Sequence, residues 1–443
     1  MLKDQHKTFP HGVHPPDFKE DTCHLPIHRF PFAPVMVIPM AQHIGKPAIP
    51  VVREGQEVTR GQVIAKADGL FSSPIHAPAS GVIKKITLVP SINGGMTQGL
   101  YLQPFPASTQ EVIEGNPCTL ETATPDEIIN AIQQAGIVGL GGAVFPTHAK
   151  LKAPDGKRAE ILLVNGAECE PFLTTDHRVM LEQSSDIFLG IRYLLKATGA
   201  ERAVIGVEAN KSDAAKHLRK TCPHDMPVEI EELTVKYPQG AEKIMIKALF
   251  NREIPIGGHS IDVGVVGVNV ATAAEIGRLL PHGRGIQERV ITITGPAVRK
   301  KGNYRIPVGT PLRFALDYVG TTENVGEVFL GGPMMGPSVP NLDIPITKGI
   351  AGIIVFGESD VVTATKVYPC IHCGYCVDAC PVSLNPGQLV MMAQKQMYQE
   401  MADNFHLRQC FECGACSYVC PSHIPLVQHF RMAKASLKKK QVA

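Results

Sequence analysis

Cys370-Ile-His-Cys373-Gly-Tyr-Cys376-Val-Asp-Ala-Cys380-Pro381 and Cys410-Phe-Glu-Cys413-Gly-Ala-Cys416-Ser-Tyr-Val-Cys420-Pro421 are two copies of one pattern, C-x2-C-x2-C-x3-C-P, offset by 40 residues. They take eight of the chain's twelve cysteines. Iron is held tetrahedrally by thiolates, and a tight C-x2-C-x2-C loop can wrap three irons of one cubane. The fourth cysteine, carried away by the proline turn, reaches the other cluster. The expected ligand sets are therefore crossed: Cys370, Cys373, Cys376 with Cys420, and Cys410, Cys413, Cys416 with Cys380. Two [4Fe–4S] clusters are the expected cofactors, and such centres move single electrons. Structural zinc needs four ligands per site and has no use for a three-plus-one pattern repeated with proline. A disulfide framework suits small secreted chains. Cys23, Cys118, Cys169 and Cys222 are scattered and read as isolated thiols.

The duplicated motif marks a C-terminal module at 366–430, with Asn385-Pro386 capping a helix between its halves through about Met397. At 443 residues the chain is long enough for several domains, and 44% hydrophobic residues supply ordinary cores. The 43 basic and 41 acidic residues nearly cancel, which argues against a nucleic-acid partner. No apolar signal core opens the chain, and runs such as Ile350 to Phe356 fall far short of a membrane span. The expectation is a soluble or peripheral protein of the reducing cytoplasm. The basic Lys438-Lys439-Lys440 tail reads as a solvated helix end, with an anionic surface as the alternative.

Residues 1–30 form a Pro- and His-rich arm, read as an extended strap rather than a metal site. Residues 31–105 are short strands punctuated by glycine and proline, as in Val51 to Val58, Gly61 to Ala65 and Ser73 to Ile83. Thr124-Pro125-Asp126-Glu127 is a capping box that opens a helix, and Gly136 ends it. Gly139-Leu-Gly141-Gly142-Ala-Val-Phe145-Pro-Thr147 follows. Its glycines let backbone N–H groups converge on an anion and leave room for a flat ring. From 160 to about 250, strands and helices alternate: Ile161 to Val164, a long helix from about Arg178 to Ala197, Ala203 to Val207, a helix capped by Ser212-Asp213, and Val228 to Val235. This βαβαβ order implies a mostly parallel sheet covered on both faces, with ligands beyond the carboxyl ends of its strands. Asn165 to Glu170 and Tyr237 to Glu242 lie on that edge. Residues 287–360 read as a separate β-rich module.

These segments resemble known families. Residues 31–105 resemble the flattened barrel of biotinyl and lipoyl carriers, although Ala67 to Phe71 lacks the modifiable lysine and Lys66 lies one residue before it. The glycine loop, Asn165-Gly-Ala167-Glu168-Cys-Glu170-Pro, Tyr237 to Glu242 and Asn269-Val-Ala-Thr272 resemble the NADH-oxidising flavoprotein subunit of respiratory complex I. The module after 287 resembles the soluble-ligand-binding β-grasp of that subunit. With the two-cluster tail and Phe9-Pro-His-Gly-Val-His-Pro-Pro16, nearly the whole chain is similar to the RnfC family, the C subunits of Rnf complexes, which are bacterial membrane ferredoxin:NAD oxidoreductases. The related runner-up is the flavin- and cluster-containing cobalamin reductase of propanediol-utilising microcompartments.

The resemblance implies a multidomain α/β + β fold. Its parts are an arm (1–30), a carrier-like barrel-sandwich hybrid (31–105), a Rossmann-like FMN/NADH domain (120–286), a β-grasp module (287–360) and a helical two-cluster ferredoxin domain (366–430). It implies non-covalent FMN, lined by Gly139, Gly141, Gly142, Lys150, Asn165, Glu168, Gly240, Glu242, Asn269 and Thr272. Phe145 is expected to stack on the nicotinamide or adenine, and Glu170 to bond the dinucleotide. Ala167 and Ala241 replace acids of the family. No side chain is expected as an acid–base catalyst, since chemistry falls to FMN, the clusters and NAD(H). Expected partners are the other subunits of a membrane electron-transport complex, with ferredoxin reached through one of them. The expected place is the cytoplasmic face of the membrane. An electron-wiring subunit without a nucleotide site is the reading from a different class.

Overall fold

The computed structural model describes residues 6–92, 94–154, 156–322, 324–361 and 366–442. Between Met36 and Pro104 two small sheets face each other. One has the order Met36–Pro39, Met96–Pro104, Gly81–Pro90, Glu57–Val58; the other has Ile49–Pro50, Val63–Lys66, Ile75–His76. Alternate residues point inward, so Met36, Ile38, Ile64, Ile83, Leu100 and Leu102 share one core. Gly81 is obligatory there, because a Cβ would lie 2.1 Å from the Gln103 carbonyl oxygen. The loop after Lys66 ends in Leu70 and Phe71, both 51% exposed.

The expected capping box is present: the Thr124 side chain accepts from Glu127 N–H and Glu127 bonds back, opening helix Pro125–Gln134. The following sheet is wholly parallel, in the order Val228–Leu233, Arg202–Glu208, Ile161–Gly166, Val265–Asn269. The chain steps outward from Ile161–Gly166 twice, then returns to that strand's other side. Strand order therefore reverses between Ile161–Gly166 and Val265–Asn269, the place where open α/β sheets leave a crevice. The single helix expected from Arg178 to Ala197 is two, Thr175–Glu182 and Ser184–Thr198. Gln183 breaks it with φ −130° and ψ 30°, and Glu182 turns to accept the Ile27 N–H at 3.1 Å. Ser212 is the first residue of its helix rather than its cap, and Asp213 instead meets His177 at 2.9 Å.

The next sheet has five strands, Ile27–Arg29, Gly302–Pro307, Glu288–Thr294, Gly352–Gly357 and Val325–Leu330, beside helix Leu312–Val319. Its first strand comes from the arm, paired parallel with Ile27 opposite Asn303. Phe30 anchors it, with ring centroids 5.4 Å from Tyr304 and 4.5 Å from Tyr318. Earlier in the arm, Lys7 bridges to Leu233 and Val13 to Tyr237, covering the edge of the parallel sheet. The C-terminal module packs helices Pro386–Gln394, Tyr398–Asp403 and Leu426–Val442 around Leu389, Met401, Leu407 and Phe430. The helix capped by Asn385 stops at Gln394, short of Met397.

Candidate functional site

Asn165 and Asn269 end adjacent parallel strands in register, at the strand-order reversal. The Asn165 amide donates to the Gly240 carbonyl at 2.7 Å and accepts from Ala167 N–H at 3.0 Å. It ties the Tyr237–Glu242 loop to the strand end, and a Cβ on Gly240 would stand 2.5 Å from the Ala167 carbonyl oxygen. Asn269 caps helix Val270–Leu279, accepting from Ala271 and Thr272 N–H. Its amide donates to Asp176 at 2.7 Å. The Thr272 hydroxyl accepts from Leu140 N–H at 2.9 Å, and Gly139 N–H bonds the Phe145 carbonyl at 2.8 Å. The glycine loop is thereby pinned at its base, while Gly141, Gly142 and Ala143 are exposed. A Cβ on Gly141 would press Asn269 at 3.0 Å; Gly142, at φ +97°, faces open space. Lys150 pairs with Glu242, each about one-third exposed. Gly141 and Gly240 let the loops close on the strand ends, Gly142 leaves space above them, and Lys150 stands where it can meet a phosphate, an arrangement that suits FMN.

The polar side chains expected to touch flavin are thus mostly engaged with the protein, and they act first by fixing loops. Glu168 is the clearest case. It is buried and accepts from Asp176 N–H at 2.9 Å and His177 N–H at 3.3 Å, capping helix Thr175–Glu182, whose N-cap Thr174 turns its hydroxyl to Thr22 and Asn303 instead of the helix. Two further residues, Asp176 and Arg289, join the expected set here. Burial, then the Glu168 carboxylate, pushes Asp176 up to about 7. Arg289, 2% exposed, donates to the Lys348 carbonyl at 2.9 Å and to the Leu140 carbonyl. Both lie in segments without a local motif, so no spacing signals them.

Phe145 and Glu170 sit apart from this group. The Phe145 ring is 6.0 Å from Phe71 of the barrel-domain loop. Glu170 turns toward the other modules: it accepts from Met334 N–H at 3.0 Å, and a Cβ on Gly332 would lie 2.2 Å from it. Burial raises its carboxyl to about 7 against the Met334 N–H, which lowers it.

In the C-terminal module Cys370, Cys373, Cys376 and Cys420 line one cavity of about 210 Å³. Cys380 lies among the second trio, where burial first and neighbouring thiolates next, Cys410 and Cys380 among them, push Cys413 up to about 12. Burial likewise raises Cys416. Iron binding would supply the deprotonation these thiols resist. Cys380 also accepts from Leu384 N–H at 3.3 Å and Cys410 from Glu412 N–H at 3.4 Å. Among the described residues no three such side chains close on a point as for a single metal ion; the four thiols around the 210 Å³ cavity, and Cys380 beside the second trio, are instead spread as the larger body of a cubane would need. Their surroundings differ. Gly414, N-terminal to helix Ala415–Tyr418, packs where a Cβ would meet the Met334 carbonyl oxygen at 2.7 Å, while its counterpart Gly374 faces open space. Lys243 donates to the Gln409 carbonyl at 3.2 Å. The Cys410 set abuts the parallel-sheet domain. The Cys370 set faces outward, with Ile371 66% and Tyr375 58% exposed. Among the described residues, no helix is long and apolar enough to cross a membrane.

Residues 7–104 match the RnfC barrel sandwich hybrid domain family, 132–278 the Nuo51 FMN-binding domain family, and 366–424 the 4Fe-4S dicluster domain family. The chain is 40% identical over 432 residues to the C subunit of the proton-translocating ferredoxin:NAD(+) oxidoreductase complex of Clostridium ljungdahlii, covering 97% of this chain and 94% of that one. It is 38% identical over 401 residues to the C subunit of the Na(+)-translocating ferredoxin:NAD(+) oxidoreductase complex of Acetobacterium woodii, covering 90% of each. It is 39% identical over 440 residues to the C subunit of an ion-translocating oxidoreductase complex of Haemophilus influenzae, covering 98% of this chain and 66% of that one. In fold it is similar to a crystal structure of NAD+-reducing [NiFe]-hydrogenase in the air-oxidized state. That likeness has TM-score 0.50 and 19% identity, over 74% of this chain and 69% of the other.

Proposed function

The chain belongs to the RnfC family, the C subunits of ion-translocating ferredoxin:NAD(+) oxidoreductase complexes, and from that premise we propose that the crevice at Asn165 and Asn269 holds FMN. The protein is an oxidoreductase subunit that carries FMN and two [4Fe–4S] clusters and passes electrons between them and NAD(H). Its partners are the other subunits of that complex. FMN, when bound, exchanges a hydride with the dinucleotide and single electrons with the clusters.

The chain's residues supply geometry and field. Gly141 and Gly240 let the loops pack on the strand ends, Gly142 leaves space above them, and Lys150 offers its charge to the phosphate. Asn165 and Asn269 hold the two strand ends and the loops beside them. Phe145 and Phe71 present ring faces on the barrel side, suited to a nicotinamide or adenine. The Cys370–Cys373–Cys376–Cys420 and Cys410–Cys413–Cys416–Cys380 sets hold the clusters. Of these the Cys410 set is nearer the crevice, so the Cys370 set is the outward terminal of the relay, on the side where a partner can dock. Glu170 reads as a junction residue rather than a dinucleotide ligand, given its bond to Met334. We read the four-stranded sheet as Rossmann-like and the five-stranded module as a β-grasp that bridges crevice and clusters. The subunit would sit on the cytoplasmic face of the membrane as a peripheral protein.

The observation that carries this reading is the register of Asn165 with Asn269 under the exposed Gly141–Ala143 turn. The test is anaerobic purification with iron, sulfide and FMN analysis, then addition of NADH. Roughly eight irons and bleaching of the flavin band support it. Full iron with no FMN binding leaves an electron wire and overturns it.

A further inference from the structure

NADH oxidation releases two electrons and one proton, NADH → NAD+ + H+ + 2 e−, and iron–sulfur clusters accept the electrons alone. The reaction therefore calls for a group beside the cofactor site that takes up the proton. Asp176 stands beneath the glycine loop, its carboxylate accepting from Asn269 at 2.7 Å. Directly behind it is Glu168, which takes the Asp176 N–H at 2.9 Å. Glu168 also lines a second, separate cavity of about 50 Å³ with Asp17, Lys19, Glu208, Asn210 and Tyr237. Water needs roughly 10–15 Å³ of such space per molecule. Among the described residues the buried Glu208 Oε1 atom has no hydrogen-bond partner, while Lys211 holds the other oxygen at 2.9 Å. A buried carboxylate oxygen of that kind is what an ordered water satisfies. Of the lining residues, Asn210 is exposed to solvent and Asp17, which accepts from its amide at 3.1 Å, is half-buried.

We propose that Asp176, positioned by Glu168, is the proton carrier between the crevice and this cavity. During NADH oxidation an Asp176 carboxylate oxygen takes the released proton and passes it past Glu168 toward Glu208 and solvent; during NAD+ reduction the same proton travels inward. The groups facing Asp176 are Glu168, Lys211 and Arg289, with the Asn269 amide and the neighbouring His177–Asp213 pair. Burial and the Glu168 charge set Asp176 near the range where it can both take and give a proton at neutral pH. The proposal rests on the crevice being the FMN and NAD(H) site.

Infrared difference spectra, reduced minus oxidised, on the full chain loaded with FMN and clusters test it. The wild type should show a protonated-carboxyl C=O band that changes with redox state and shifts in D2O. Asp176→Asn, with FMN retained, should lack that band, lose at least tenfold in NADH-driven cluster reduction, and lose the pH dependence of that rate near neutrality. Glu168→Gln should shift the band. A band and pH profile that survive Asp176→Asn overturn the proposal. Should Asp176→Asn shed FMN, the other spectra decide: a wild type without the band, or a band indifferent to Glu168→Gln, overturns it. A wild-type chain that binds no FMN overturns the site reading instead.

Discussion

The Tyr237 hydroxyl donates a 2.5 Å hydrogen bond to the Cys413 carbonyl, joining the loop that borders the crevice to the loop that holds the nearer cluster. Tyr237 is 1% exposed, so the bond is made in a buried junction shared with Val13, Ala379 and Ala415. Tyr237→Phe leaves that carbonyl without its buried partner, at a cost of about 1–3 kcal/mol. Iron and FMN contents should stay normal, while rapid mixing with NADH should show slower cluster reduction. A variant with wild-type kinetics would remove this junction from the electron route.

The crossed ligation proposed above makes the fourth cysteines diagnostic. Cys420→Ser should damage the cluster of the Cys370 motif, and Cys380→Ser that of the Cys410 motif. Each should lower iron from roughly eight toward four per chain. Because the Cys410 set abuts the flavin domain, Cys380→Ser should also block reduction of the surviving cluster by NADH, whereas Cys420→Ser should not. Low-temperature EPR after NADH addition reads the difference.

Gly240 and Gly95 separate crowding from mere substitution. A Cβ at Gly240 would lie 2.5 Å from backbone, whereas one at Gly95 meets nothing within 4 Å among the described residues. Gly240→Ala should weaken FMN binding at least tenfold, about 1.4 kcal/mol. Gly95→Ala should bind it unchanged. Titration of the apoprotein followed by flavin fluorescence checks both.

Lys348 links three modules, donating to the Pro74 carbonyl at 2.8 Å and the Gly136 carbonyl at 2.7 Å. Burial pushes its ammonium down to about 7 from 10.5. The unfolded chain then binds the extra proton between those values, so stability rises with pH from about 7 toward 10.5. Below that window the penalty of the buried charge is constant. Lys348→Met should flatten the rise, and denaturant melts across the window measure it.

Short-range chemistry carries the part of this protein that its sequence states alone. Cysteines three and four residues apart must fold around iron or waste their thiols, and Thr124 with Glu127 can close a capping box without outside help. The glycine loop and Asn165 at the end of its strand are likewise local patterns, whereas Asn269 entered only through the family resemblance. Contacts between distant segments decided the rest. Ile27–Arg29 became a sheet strand because Gly302–Pro307 offered a free edge, which nothing within three residues encodes. Glu168 caps a helix because Thr174 does not, and Glu170 reaches Met334 because a glycine at 332 leaves the space. The two cysteine motifs are alike in sequence, and only packing makes one the inner cluster. Gly414 lies against the Met334 carbonyl, and Gly374 lies against nothing. Spacing along a chain sets which atoms can share a metal. Which cluster faces the flavin depends on how separate modules bury their surfaces against each other.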